Sequence, residues 1–283
     1  SAVLRDSPDF GGDIQQGVTV QGLVVMARRM LAKDAAQRYT SIAEMRADLQ
    51  RLAASSTTGD APISAQRPAD SIRPIGRDAD LKHLTGQLEE ALAGRGSLIL
   101  IGGEPGIGKT HLASALLEAA RSRGAFVVTG HCYEMEGSPP YLPFIEMLEH
   151  SARSLPSDTF RHALGEDAPE VVKLMPELRR MFSDIPPALA LPPEQQRRFL
   201  FNGYRGFVER STLLTPMVAL FEDLQWADEP TLLLLQHLTQ TVAGMPMLMI
   251  GTYRDVDLEV GRPCARMLES LLRQKLGTRI LLR

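Results

Sequence analysis

The stretch Gly102 to Ala113, GGEPGIGKTHLA, constrains this chain more than any other. Residues 103–110 fit G-x-x-x-x-G-K-[ST], and each fixed position has a physical cause. Glycines let the backbone turn so that successive N–H groups point inward as an anion-binding nest. A helix beginning at the lysine adds the partial positive charge of its N-terminus. Lys109 brings a full charge to the outer phosphates, and the Thr110 hydroxyl suits Mg²⁺. Gly103, Glu104, Pro105, Gly106, Ile107, Gly108, Lys109 and Thr110 are therefore expected to hold a nucleotide. A glycine turn can precede a helix by chance. Here the context agrees, because the apolar run SLILIGG precedes the loop and a helical pattern follows it.

That context sets the fold class. SLILIGG is short and apolar at every position but its first and last two, the mark of a parallel strand buried on both faces. A helix with Leu81, Leu84, Leu88 and Leu92 leads into it. After the loop come a strand, AFVVTG, and a mostly helical stretch from 141 to 211. MVALFED, a helix from about 229, MLMIGTYRD, another helix and RILLR follow. Strands alternating with helices predict an α/β fold, a P-loop nucleotide-binding domain with a parallel sheet flanked by helices. With 44% hydrophobic residues, the 283-residue chain has ample material for a core.

A phosphate loop needs a carboxylate on a neighbouring strand to hold Mg²⁺, and often a second to orient water. The run MVALFEDLQWAD supplies both. By position, Glu222 faces the metal with Thr110, and Asp223 sits where a water-orienting acid belongs. The strand MLMIGTYRD ends in Arg254. Parallel strands present their carboxyl ends along one edge, where ligands bind, so Arg254 is expected to sense the third phosphate. Lys109, Glu222, Asp223 and Arg254 form the expected catalytic group. The bland alternatives are two solvated acids at a strand end, and a surface arginine paired with Asp255 or Asp257.

Five separated segments carry a resemblance: IRPIGRDADL, GEPGIGKT, GHCYEMEGSPPYLPFIEML, FEDLQWADEPTLLLL and GTYRDVDL. In order and wording they resemble the STAND class of AAA-like P-loop ATPases, the signal-transduction ATPases of large bacterial regulators. The resemblance covers about residues 72–283. It implies ATP or ADP with Mg²⁺ as cofactors, and an acidic strand that lies beside the next strand rather than beside the P-loop strand. It also implies that Ile75, Gly76 and Arg77 lie near the adenine and ribose, and that Glu222 and Asp223 are the Mg²⁺ and hydrolysis carboxylates. Glu222 departs from the commonest pattern. Its longer side chain points to a water-mediated hold on Mg²⁺ and to slow hydrolysis. The family pattern continues into a helical or winged-helix module beyond Arg283.

Residues 18–53 read as a helical pair, the second helix opened by the capping box of Ser41 and Glu44. The stretch ARRMLAKDAAQRYTSIAEMRADLQRL resembles the last helices of a serine/threonine protein-kinase C-lobe, with Arg38 at the position of a buried arginine. Three segments follow: a kinase-like helical piece over 1–54, a flexible linker over 55–71 rich in small residues and proline, and the ATPase domain over 72–283. Asp9-Phe10-Gly11 and Ala168-Pro169-Glu170 spell DFG and APE. Both stand in the wrong order relative to the closing helices and are coincidences.

Several residues read as structural. His131 and Cys132 lack partners at metal-ligand spacing and read as a core strand-end pair. Trp226 reads as packing its loop, Leu232 to Leu235 as a buried helix face, and Arg197 and Arg198 as a solvated helix end. The net charge of −3 and pI near 6.1 argue against a nucleic-acid binder. No run of about 18 apolar residues exists to span a membrane. The two cysteines stand apart without a paired motif, as expected in the cytoplasm. The chain opens on Ser1, so a longer parent protein is expected. The leading expectation is a nucleotide-dependent signalling switch partnered by ATP, by the parent's kinase and C-terminal domains, and by a second copy or a regulatory protein. The alternatives are a fragment of a protein kinase and an ATPase that remodels nucleic acid.

Overall fold

The computed structural model describes Asp48 and residues 77–134, 139–255 and 263–283. The chain divides into two units, Ser1–Ala69 and Asp70–Arg283. The kinase-like helices and the linker lie outside the described residues, apart from Asp48, which is helical. Ile75 and Gly76 also lie outside them.

The second unit is a five-stranded, all-parallel sheet in the order β2-β3-β4-β1-β5. The elements run α1 (Asp78–Leu92), β1 (Ser97–Gly103), α2 (Lys109–Ser122), β2 (Phe126–His131), α3 (Leu142–Ser154), α4 (Ser157–Leu164), α5 (Ala168–Val171) and α6 (Leu178–Met181). Then come α7 (Pro193–Leu214), β3 (Met217–Glu222), α8 (Glu229–Thr239), β4 (Met247–Arg254), α9 (Pro263–Arg273) and β5 (Gly277–Leu281). This is the α/β fold that the alternating pattern predicts. β4 separates β3 from β1, so the acidic strand lies beside the strand that follows it and not beside the P-loop strand.

The inner strands β1, β3 and β4 bury both faces because the sheet is covered on both sides, while the edge strand β5 is largely exposed. Ile99 and Ile101 of β1 face the core under α1 and α2, with Leu84, Leu88, Leu112 and Leu116. Leu98 and Leu100 face the opposite core, built by α3, α4, α7, α8 and α9. Aromatic rings knit this second core. Phe144 meets Phe221 edge-on at 5.2 Å and Tyr204 at 5.1 Å, and Phe160 meets Phe207 at 5.8 Å. Such pairs each contribute about 0.5–1.5 kcal/mol beyond their burial. The Tyr204 hydroxyl donates to the Phe144 carbonyl at 3.3 Å, and burial pushes its phenol well above the usual tyrosine range.

The two covering layers position the ligand edge. The connection leaving β1 runs through α2 on one face of the sheet, and the connection leaving β4 runs through α9 on the other. β1 and β4 are neighbours, so the chain diverges between them. In an open parallel sheet such a divergence at the carboxyl ends of the strands makes a crevice.

Within the described residues, Glu170 of the APE string pairs with Lys173 at 2.6 Å, a local helical contact. Trp226 packs partly buried against the larger core. Leu232, Leu234 and Leu235 are buried, and Arg197 and Arg198 are exposed. No helix among the described residues is long and apolar enough to cross a membrane.

Candidate functional site at the carboxyl edge of the sheet

The P-loop joins β1 to α2. Gly106 and Gly108 take φ of 77° and 98°, in the left-handed region that disfavours residues with a Cβ. Gly108 is the N-cap of α2 and supplies no side-chain cap. The first intrahelical bond runs from the Leu112 N–H to the Gly108 carbonyl at 2.9 Å. The amides of Lys109, Thr110 and His111 therefore precede the helical ladder and point out of the helix end. A Cβ at Gly106 or Gly108 meets nothing within 4 Å, so the space above the loop is open.

Lys109 is buried and folds back over the loop, donating to the carbonyls of Gly103 at 3.0 Å and Glu104 at 2.8 Å. This contact holds the ammonium against the main chain at the start of the same loop. Thr110 is exposed on the first turn of α2, and Glu104 and Pro105 are exposed at the loop's crest. An open, amide-lined cradle with a lysine across it fits the phosphates of a nucleotide. Beside it lies a cavity of about 440 Å³ lined by Gly103, Glu104, Ile107, Asp255 and Leu282 among others. Arg77 stands near its Arg283 side, donating to the Arg283 carbonyl at 2.9 Å and pairing with Asp80 at 3.5 Å.

The acidic pair sits one strand removed from the loop. Adjacent strands are about 4.8 Å apart, so the end of β3 lies laterally about 10 Å from the end of β1. Alternation along β3 decides the faces. Val218 and Leu220 enter the core under α1 and α2, so Glu222 stands on the same face as the P-loop helix. On β4, Leu248 and Ile250 share that core, and Thr252 and Arg254 follow them on that face.

The two carboxylates have different partners. Glu222, with 17% of its side chain exposed, meets His131 Nε2 at 3.1 Å on the neighbouring β2. His131 Nδ1 meets Glu146 of α3 at 2.9 Å, and the Glu146 carboxylate also accepts the His131 backbone N–H at 2.8 Å. Asp223 leans the other way, toward β4. Its backbone is left-handed with φ of 57°, and its N–H donates to the Thr252 hydroxyl at 3.1 Å. Its carboxylate accepts from Gln225 at 2.8 Å and lies 3.9 Å from Arg254 Nε.

Three residues thus join the site that pattern reasoning passed over. His131 reads from sequence as half of a buried pair, yet 42% of its side chain is exposed and it bridges two glutamates. Only Cys132 is buried there, and burial foremost raises its thiol above the usual range. Parallel register sets His131 opposite Glu222, a pairing that no spacing along the chain reveals. Gln225 and Thr252 are uncharged and fall outside any acid or base pattern. Arg254 faces Asp223, while Asp255 pairs with Arg279 of β5.

Among the described residues no group of three or more His, Cys, Asp or Glu side chains has the geometry of a metal cage.

A family model described as "AAA ATPase domain" matches residues 73–250. Comparison with curated proteins finds no match. Among solved structures, the chain is similar to one described as a DNA replication initiation factor, at 17% identity and a TM-score of 0.36, covering 76% of this chain and 48% of that one. It is also similar to AMPPCP-bound DnaA from Aquifex aeolicus, at 17% identity and a TM-score of 0.36, covering 75% of this chain and 48% of that one. The chain thus spans about half the length of these structures.

Proposed function

The chain belongs to the AAA ATPase domain family, and from that premise we propose that it is the regulatory ATPase module of a larger signalling protein, of the STAND class, set by whether ATP or ADP is bound. The observation that carries this reading is the meeting, at one edge of one sheet, of an open glycine cradle crossed by Lys109 with an acid–arginine pair, Asp223 and Arg254. The cradle recognises phosphates shared by ATP and ADP. The acid–arginine pair lies at the ends of β3 and β4 and adds groups suited to the phosphate that the two nucleotides do not share. A ligand shifts a conformational equilibrium only by its differential affinity for the two states, and this division of labour supplies one.

In this reading Lys109 and the loop amides hold the phosphates, Thr110 and Glu222 hold Mg²⁺, Asp223 orients water, and Arg254 senses the third phosphate. Arg77 is assigned to the base and ribose, the role that the resemblance also implies for Ile75 and Gly76. When bound, Mg²⁺ offsets charge on the phosphate oxygens. Hydrolysis would be slow, because the Glu222 carboxylate that would hold Mg²⁺ is already engaged by His131. The resemblance of residues 1–54 to kinase helices supports a parent protein that couples the module to phosphorylation. A cytoplasmic setting accords with the unpaired cysteines.

The test is a titration of the chain with ATP and ADP in Mg²⁺, beside Lys109→Ala. Binding of both nucleotides is expected, with loss of both in the variant. Undiminished binding by Lys109→Ala removes the site assignment.

A further inference from the structure

We propose that Gln225 is a positioning residue that ties the Asp223 carboxylate to the backbone at Arg254, so that the two groups answer the third phosphate of ATP as one unit. This rests on the functional reading above and deepens it by naming what couples the acidic strand to the sensing strand.

Gln225 lies in the single 3₁₀ turn Leu224–Trp226 that follows Asp223, with 8% of its surface exposed. A buried amide must satisfy both its donor and its acceptor ends. This one does so between two strands. Its Nε2 donates to Asp223 Oδ1 at 2.8 Å, and its Oε1 accepts the backbone N–H of Arg254 at 3.0 Å. The partners settle the orientation of the amide. A carboxylate only accepts and a backbone N–H only donates, so a flipped amide sets like against like at both ends.

The same carboxylate oxygen is the one that Arg254 Nε approaches at 3.9 Å. At that distance, with 38% of the arginine side chain and 44% of the aspartate side chain exposed, the ion pair alone is too weak and too solvated to fix geometry. The buried amide fixes it instead. The bond from the Asp223 N–H to Thr252, itself 2% exposed, holds the main chain in its left-handed turn from the same strand. Asp223 is therefore attached to β4 by its backbone and its side chain, at consecutive same-face positions of that strand. A displacement of the β4 main chain at Arg254 pulls the amide, and the amide pulls the carboxylate.

The experiment measures competition by ATP and by ADP, in Mg²⁺, against a fluorescent ATP analogue bound to the full chain. Gln225→Met keeps the volume and removes both ends of the bridge. Its affinity for ADP is expected to stay within about twofold, while its preference for ATP over ADP falls about tenfold, the scale of one hydrogen bond to a charged group. In an Arg254→Ala background the same substitution is expected to cause no further loss, because the two act together. A folded Gln225→Met chain with unchanged preference overturns the proposal, as does a loss that adds in full to that of Arg254→Ala. Should Gln225→Met fail to fold, Gln225→Glu retains the acceptor for Arg254 and sets a like charge beside Asp223. It must show the same loss, and an unchanged preference is equally fatal. Failure of the unaltered chain to bind either nucleotide refutes the functional reading itself. Lys109-dependent binding that is indifferent to residue 225 refutes only the bridge.

Discussion

Replacing Gly102 by alanine tests how the P-loop is seated. Gly102 is the penultimate residue of β1, and its register partner on β4 is Tyr253. A Cβ built at Gly102 falls 2.4 Å from the Tyr253 hydroxyl oxygen, 2.5 Å from its Cζ and 2.9 Å from Leu281 Cδ2. All three lie well inside contact distance, so something must move. Tyr253 has little room to do so. Its ring is fully buried, and its hydroxyl accepts from Arg279 Nε at 2.6 Å. Arg279 is in turn paired with Asp255. The strand end must therefore shift, and it carries Gly103, whose carbonyl anchors Lys109. Overpacking of this kind costs about 1–3 kcal/mol. For a unit of this size that is a fall in melting temperature of roughly 2–12 °C. Thermal unfolding followed by circular dichroism, with and without ATP, measures it. Gly102→Ala is expected to melt earlier and to gain less from ATP than the unaltered chain. Tyr253→Phe is expected not to rescue it, because Cζ still obstructs the new methyl group. A Gly102→Ala chain with unchanged melting and unchanged ATP affinity refutes the claim that the loop is seated on Tyr253.

Two further outcomes follow from the structure. The Asp228 side chain accepts from the Thr231 N–H and hydroxyl, each at 2.7 Å, and caps α8; Asp228→Ala should cost about 1 kcal/mol in a denaturant titration, and an unchanged midpoint contradicts the cap. Burial, with Arg205 nearby, lowers the His237 pKa. The unfolded chain then takes up a proton near pH 6.5 that the folded chain declines, so stability present above that pH is lost as pH falls toward the folded value. His237→Gln should flatten that part of the stability-versus-pH curve, and an unaltered slope removes His237 as its source.

The parts of this protein that were legible in the sequence are those governed by neighbours along the chain. The octet 103–110 dictates a glycine cradle at a helix start because its geometry involves only consecutive residues, and the structure keeps that loop where the pattern sets it. Continuous apolar runs such as SLILIGG announce strands buried on both faces, since only a doubly covered sheet tolerates them. Glu222, Asp223 and Arg254 were legible as charges at strand ends, where the backbone reaches solvent.

Only the tertiary structure decided what those charges touch. Parallel pairing brings together residues far apart in sequence, so His131 meets Glu222 across 91 positions, and the Arg254 N–H meets Gln225 across 29. Whether a histidine beside a cysteine lies in the core or at the rim depends on which helix covers the strand end. α3 leaves that end exposed enough for His131 to hold two carboxylates. The roles of Gln225 and Thr252 arise from the same cause. Neither side chain carries a charge or a periodic signal, and each acquires its partner only when β3 and β4 lie side by side with a particular register.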